Sequence, residues 1–276
     1  MNGTFPVGAC WFEQQDSIED GTLMRWWAPR PDASSSSRSP FAPNPSEPLW
    51  CAAQVPDVSW LFVACLNPKR GLSDDDYRLA AQRLGTDVAA VKAVAEVETV
   101  GAAFDPEGRP AILYERHIFE RLTGSRYSTG HPRVSGPALG PAQYGPRSRQ
   151  YEKLAEAYAL DPWAALQSAS WGSFQVLGEN YAMLDYASPQ HMAQSMARSE
   201  KAHLDAFVSY VRGTPKCLQA IQRKDWATFA RWYNGPDYKT FHYDKSIAEA
   251  YARQSAAEVQ PAAKASATPA PGPRLP

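Results

Sequence analysis

The helical character of this chain is clearest in residues 86–104, which read TDVAAVKAVAEVETVGAAF. On a wheel of 3.6 residues per turn, the apolar side chains of this stretch share one face. Thr86 is expected to cap the first turn, and the pattern predicts a helix that runs to about Thr99. The residues that form the apolar face are Val88, Val91, Val94 and Ala95.

Two neighbouring glutamates of this helix fall in different environments. Glu98 lies in the middle of the apolar face, one turn after Val94, whereas Glu96 lies on the opposite face. Glu96 follows Lys92 by four residues, so we expect these two side chains to form a solvated charge pair. The helical phase therefore predicts one buried and one exposed glutamate.

Working outward, the neighbouring segments also begin with helix signals. Ser73 is an expected N-cap because acidic residues follow it, and Gly85 is expected to end that helix. A capping side chain precedes a proline at three later positions, Asp161-Pro162, Ser188-Pro189 and Thr214-Pro215. The helix after Ser188 is expected to run about 24 residues, to Arg212.

One short β excursion interrupts the helical pattern. Residues 103–104 precede a turn at Asp105-Pro106-Glu107-Gly108, and an extended segment follows from Arg109 to Glu115. The sequence therefore predicts an all-α fold with a small β-hairpin.

The two ends of the chain differ in composition from its middle. Residues 1–69 show no clear periodicity and include a Ser/Pro-rich stretch at 29–49, which predicts a poorly ordered extension with a linker. Residues 257–276 are rich in Ala and Pro and predict a disordered tail. The catalytic or binding domain is therefore expected at 70–256.

Composition excludes several classes of function. The 276 residues include 28 basic and 29 acidic side chains, a balance that does not favour nucleic-acid binding. Neither a signal peptide nor an apolar stretch long enough for an integral membrane segment is visible, which predicts a soluble protein. The four cysteines and five histidines lack metal-site spacings, so we expect no metal and no cofactor.

Glu98 suits acid catalysis on physical grounds. Apolar neighbours penalise the charged form of a carboxyl group, and the negative end of the helix dipole adds to that penalty. A carboxyl that stays protonated near neutral pH can donate a proton to a departing sugar oxygen. The alternative is a structural glutamate held by an arginine or by backbone amides.

Three short segments resemble motifs of the lysozyme and lytic transglycosylase superfamily. They read ETVGAAF at 98–104, SWGSFQV at 170–176 and RWYNGP at 231–236, in the order expected for that superfamily. A fourth segment, RPAILYERHIF at 109–119, resembles the N-acetylmuramidase family of phage endolysins. The resemblance covers about Leu72 to Arg253. It implies a lysozyme-like helical domain that cleaves the MurNAc–GlcNAc β-1,4 bond of peptidoglycan.

The resemblance also implies a set of substrate-binding residues. Gly172 would let the backbone approach a ligand closely, and Gln175 would offer an amide to sugar hydroxyls or N-acetyl groups. We expect Tyr233 to hydrogen-bond Glu98, while Asn234 is equally consistent with simple turn chemistry. The implied substrate-binding residues are Thr99, Glu115, Gly172, Phe174, Gln175, Tyr233 and Asn234.

A glycoside hydrolase also needs a second carboxylate as base or nucleophile. Asp105 is our candidate, although it also suits a turn. Glu107 is expected to be solvated at the turn tip, and Glu115 is expected to form an ion pair beside Arg116 and His117. Transglycosylases of the superfamily need no second carboxylate, because a hydroxyl of the muramyl sugar itself attacks and forms an anhydro product.

Two alternatives to a muramidase therefore stay open at this point. One is a lytic transglycosylase that uses the same acid, and the other is a non-catalytic wall-binding module. For the muramidase we expect a monomer that stays cytoplasmic until a holin or a secretion system releases it to the cell wall, where peptidoglycan is its partner.

Overall fold

The computed structural model describes residues 58, 68–99, 101–140 and 144–266, with side chains through 258, and the backbone of three earlier strands. The chain divides into two compact units, which are described separately. The first unit comprises residues 1–71 and 101–210, and the second comprises residues 72–100 and 211–276.

In the described residues, the helices in chain order are α1 Asp74–Leu84, α2 Val88–Glu98, α3 Arg116–Leu122, α4 Gln150–Leu160, α5 Pro162–Gln167, α6 Pro189–Met196, α7 Glu200–Gly213, α8 Pro215–Arg223, α9 Trp226–Tyr233 and α10 Tyr243–Ser266. The strands are β1 Pro6–Val7, β2 Cys10–Glu19, β3 Thr22–Pro29, β4 Ile112–Tyr114, β5 Ala169–Trp171 and β6 Val176–Leu177. The structure is mostly helical, as the sequence predicts.

In the second unit, side chains at the helix starts satisfy free backbone amides. Ser73 and Asp76 form a capping box at α1, and Gly85 ends α1 with a φ of 64°. The cap of α2 is Asp87, whose carboxylate accepts from the amide of Ala90 at 2.8 Å. The prediction that Thr86 caps this helix is wrong, because its hydroxyl donates to the carbonyl of Ile221 instead.

Helix α2 is the buried centre of the second unit and packs against α1 and α10. Small residues on several faces allow this close packing. The fully buried residues are Ala89, Ala90, Val91, Ala93, Val94 and Ala95.

The predicted charge pair on α2 is not formed. Lys92 binds Asp74 at 2.7 Å, and Glu96 accepts from Arg253 at 2.6 Å and from Gln254 at 2.9 Å. Lys92 and Glu96 bind residues of other helices rather than each other, because Asp74 of α1 and Arg253 of α10 lie next to them. Glu96 is exposed, as predicted.

In the first unit, the predicted hairpin is reduced to a tight turn. Phe104 and Pro110 form a single bridge, and Asp105 donates its amide to the carbonyl of Arg109 at 2.8 Å. Strand β4 pairs instead with β5, and β5 pairs with β6, in an antiparallel sheet of order β4-β5-β6. The partner of β4 is therefore distant in sequence, which a local pattern cannot show.

The long helix predicted after Ser188 is two helices, α6 and α7. The break lies at residues 197–199, where Lys69 donates its amide to Arg198 at 2.9 Å and its carbonyl accepts from Glu200 at 3.0 Å. The hydroxyl of Ser199 accepts from the amide of Ala202, which starts α7 anew.

Both terminal segments contain regular elements that the sequence did not predict. Strands β1, β2 and β3 form an antiparallel sheet, and Gln14 lies opposite Trp27 in its register. Helix α10 extends to Ser266, into the predicted tail. The rest of the expected linker and tail lies outside the described residues, so the domain limits stay predictions.

None of the helices that the structure describes is both long enough and apolar enough to cross a membrane.

Candidate active site

The predicted site residues divide between the two units. Glu98, Thr99, Tyr233 and Asn234 belong to the second unit. Asp105, Glu115, Gly172, Phe174 and Gln175 belong to the first.

Glu98 is the last residue of α2 and binds the amide of Asn234. The side-chain nitrogen of Asn234 donates to both carboxylate oxygens, at 3.1 and 2.9 Å. Burial raises the pKa of Glu98 to about 7, and the hydrogen bond from Asn234 opposes part of that rise. At neutral pH a large fraction of this carboxyl is therefore protonated.

Asn234 reaches Glu98 from the end of α9. Asp225 caps the start of that helix, and Asn234 follows its last residue, with its amide donating to the carbonyl of Ala230 at 2.8 Å. Gly235, at a φ of 89°, and Pro236 then stop the helix. The turn chemistry expected for Asn234 is thus present, and its side chain is in addition a partner of Glu98.

Tyr233 and Thr99 have contacts that the sequence did not specify. The ring of Tyr233 stacks on Phe229, with 5.4 Å between centroids and 13° between planes. Thr99 closes the end of α2 by donating its hydroxyl to the carbonyl of Ala95 at 2.6 Å. The hydroxyl hydrogen of Thr99 is therefore used within the helix.

Sequence analysis missed Tyr243 as a neighbour of Glu98. Tyr243 begins α10, and burial together with the negative charge of Glu98 raises its pKa. Only the packing of α10 on α2 brings the two groups close, so no local motif marks this tyrosine.

The segment from Gly172 to Gln175 forms a tight turn in the first unit. Gly172 has a φ of 71° and Gln175 a φ of 50°, which is unusual for a residue other than glycine. The carbonyl of Gly172 accepts from the backbone amide of Gln175 at 3.2 Å and from its side-chain nitrogen at 2.7 Å. The side-chain nitrogen thus holds the turn, and the side-chain oxygen makes no hydrogen bond to the residues that the structure describes.

Phe174 does not suit the substrate-binding role expected from the sequence. Its side chain is 2% exposed and stacks on Phe207, with 4.7 Å between ring centroids. Within the turn, the side chain of Phe174 points into the core and anchors the segment that carries Gln175.

The candidate second carboxylate, Asp105, is held by Arg109. One oxygen accepts from the backbone amide of Arg109 at 2.8 Å, and the other from its guanidinium at 2.6 Å. Glu107 is 62% exposed and also faces Arg109, at 3.3 Å. Asp105 therefore has the turn role that the sequence allowed as an alternative.

Glu115 has fewer donors than Asp105. It accepts from the hydroxyl of Ser170 at 2.8 Å, and His117 lies 3.8 Å from its other oxygen. Of the two neighbours expected to pair with Glu115, His117 lies within ion-pair distance, whereas the guanidinium of Arg116 donates to the carbonyls of Pro132 and Pro137.

Among the residues that the structure describes, no group of three His, Cys, Asp or Glu side chains could hold a metal ion.

Comparison with known proteins agrees with this mostly helical fold. A family model described as N-acetylmuramidase matches residues 87–255, more than half of the chain. A solved structure, the crystal structure of Burkholderia AP3 phage endolysin, shares 38% sequence identity with a TM-score of 0.62. The match covers 70% of this chain and 73% of that one. No match was found among curated proteins.

The fold and family define a glycoside hydrolase that acts on peptidoglycan. The chain belongs to the N-acetylmuramidase family. This confirms the resemblance, the lysozyme-like helical fold and the enzyme class expected from the sequence.

Proposed function

We propose that this enzyme hydrolyses the MurNAc–GlcNAc β-1,4 bond of peptidoglycan with Glu98 as general acid. The observation that carries the proposal is the partly buried carboxyl of Glu98, whose pKa desolvation raises to about 7. A general acid works best when its pKa lies near the operating pH, because both protonation states are then accessible.

The Asn234 side chain can hydrogen-bond both the charged and the protonated form of Glu98. While Glu98 is charged, the amide nitrogen donates to both of its oxygens and fixes its rotamer. The side-chain oxygen of Asn234 is buried and has no partner among the described residues. A flip of the amide would place that oxygen to accept the proton of the acid form.

Substrate contacts are proposed for the polar groups that the structure leaves available. The side-chain oxygen of Gln175 can accept from an N-acetyl amide, and the hydroxyl oxygen of Thr99 retains a lone pair. Tyr233, Gly172 and Asn234 complete the proposed substrate-binding set.

The second carboxylate is proposed from two candidates. A base that activates water must be able to accept a proton. Asp105 meets this requirement poorly while Arg109 holds both of its oxygens, whereas Glu115 has one hydroxyl and a more distant imidazole. We therefore propose Glu115, in addition to Asp105, as a candidate for the second carboxylate. A larger loss of turnover in Glu115→Gln than in Asp105→Asn identifies Glu115 as the base.

The test of the acid compares two glutamates of one helix. Glu98→Gln should lower the rate of wall lysis by about 100- to 10,000-fold, the contribution expected of a general acid. Glu96→Gln is the matched control, since Glu96 is exposed on the opposite side of α2, and it should retain most activity. An active, folded Glu98→Gln protein would disprove the assignment.

The hold of Arg109 on Asp105 also keeps the lytic transglycosylase alternative open, because that reaction needs no second carboxylate. Mass spectrometry of released muropeptides separates the two reactions, since anhydro ends are lighter by one water than hydrolysed ends. Binding to peptidoglycan without any released fragments would instead support a non-catalytic wall-binding module.

We further propose that the enzyme acts as a monomer and reaches the cell wall through a holin pore or a secretion system. Light scattering coupled to size-exclusion chromatography measures the oligomeric state. Lysis of cells that express the enzyme, with and without a co-expressed holin, tests the delivery route.

A further inference from the structure

A buried histidine on α7 supports the turn that carries Gln175. The ring of His203 is 1% exposed and lies directly against Gly172. A Cβ atom added to Gly172 would come within 2.7 Å of the ring carbon Cγ of His203. Real Cβ contacts are never this short, so only glycine fits between the ring and the turn.

His203 also binds the residue that follows Gly172. Its Nδ1 lies 3.1 Å from the backbone amide of Ser173 and 3.1 Å from the hydroxyl of the same residue. Its Nε2 lies 2.7 Å from the carbonyl of Met196. The ring further contacts Phe104, with 5.0 Å between centroids.

These partners fix the tautomer of the imidazole. A carbonyl can only accept, so Nε2 carries the hydrogen, and Nδ1 accepts from Ser173. A protonated ring would present a donor to the donor of Ser173. Burial keeps the ring neutral by lowering the pKa of His203 to about 4, although the bond to Met196 opposes this.

The turn needs such support because its backbone is unfavourable. Gln175 has a φ of 50°, in the left-handed region that residues with a side chain rarely adopt. The hydrogen bond at Ser173 and the packing of Gly172 hold the segment on both sides of the buried Phe174. The position of the Gln175 amide therefore depends on a residue that does not touch it.

We propose that His203 is a positioning residue for glycan binding: its neutral imidazole holds the Ser173 amide and thereby fixes the acceptor oxygen of Gln175. The proposal rests on the proposed function, because it takes Gln175 as a substrate contact. His203 itself does not contact the substrate.

The first test compares two substitutions of His203 in the full chain. His203→Phe keeps a ring but removes the acceptor, so KM for peptidoglycan fragments should rise about tenfold, the loss expected for one hydrogen bond. His203→Asn keeps an acceptor near the place of Nδ1 and should restore part of the affinity. If the role is only structural, activity in both variants will instead follow their melting temperatures, and the proposal is then wrong.

A second pair of variants avoids any loss of the histidine. Gly172→Ala and Gly124→Ala both place a side chain at a positive φ, 71° and 60°. Gly124 has open space around it, so only the change at Gly172 displaces His203. For Gly172→Ala we expect a raised KM together with changed nitrogen chemical shifts of the His203 ring, and for Gly124→Ala neither change. Equal effects of the two changes contradict the proposal.

The final measurement separates this proposal from the proposed function. The dissociation constant of a soluble muropeptide is measured in the Glu98→Gln background, with and without His203→Phe, so that turnover plays no part. A tenfold weaker binding supports the positioning role, and unchanged binding overturns it alone. An active Glu98→Gln enzyme overturns the acid assignment alone. Nitrogen chemical shifts of the His203 ring must also show Nε2 protonated, and the other tautomer contradicts the proposal.

Discussion

At the scale of single residues, the pairing of Glu98 with Asn234 decides the chemistry of the candidate site. Helical phase explains why Glu98 lies on the same side of α2 as Val94, and burial explains its high pKa. Asn234 moderates that pKa and orients the carboxyl. The same asparagine also ends α9, so one residue has both a structural and a chemical role.

Removal of the asparagine amide should change the pH dependence. Asn234→Leu deletes the donor that lowers the pKa of Glu98, so the alkaline limb of kcat/KM should move to higher pH by about 0.5 to 1 unit. The rate at the optimum should fall, because the carboxyl loses its fixed rotamer. Arg231→Gln, an exposed change on the same helix, is the control. An alkaline limb that stays in place or moves to lower pH would show that Asn234 does not act through the acid.

At the scale of elements, short capping contacts set the boundaries of helices that carry the site. Asp87 starts α2, and it also accepts from Tyr251 at 3.1 Å and pairs with Lys224 at 2.8 Å. One carboxylate thereby links α2 with α8 and α10. Thr86, which the sequence predicts as the cap, makes one long contact to Ile221 and one with Lys224.

Removal of the observed cap, Asp87, should destabilise the protein more than removal of the predicted cap, Thr86. Asp87→Ala should lower the free energy of unfolding by about 1–2 kcal/mol, which corresponds to a fall in Tm of roughly 2–8 °C. Thr86→Ala should cost about half as much or less, because it removes no helix cap. Thermal unfolding at pH 7 measures both, and an equal or reversed order would contradict the assignment of Asp87.

At the scale of the whole molecule, two groups with shifted pKa values, Glu98 and His203, make stability depend on pH in opposite directions. The folded state raises the pKa of Glu98 from 4.5 to about 7 and lowers that of His203 from 6.5 to about 4. The contribution of Glu98 therefore lowers the free energy of unfolding as the pH rises from 4.5 through 7. The contribution of His203 lowers it as the pH falls from 6.5 through 4.

Substitution of each group should remove its own dependence. Glu98→Gln should be more stable than the parent above pH 7, by on the order of 3 kcal/mol at most, with the difference vanishing below pH 4.5. His203→Phe should lose less stability than the parent between pH 6.5 and 4. Urea unfolding at pH 4, 6 and 8 measures these differences. A stability gain of Glu98→Gln that is the same at all three pH values would contradict burial as the cause.

The sequence by itself determined the features that depend on local spacing. The phase of residues 88–98 separates Glu98 from Glu96, and short motifs locate the turn at Gly172 and the helix end at Asn234. These were predictable because periodicity and glycine placement act over a few residues.

Only the tertiary structure decided the partners. Strand β4 pairs with β5, Glu96 with Arg253, and Glu98 with Asn234. The burial of Phe174 and the support from His203 likewise depend on packing. The physical reason is that each of these contacts joins segments far apart in the chain, where no local pattern records which side chains will meet.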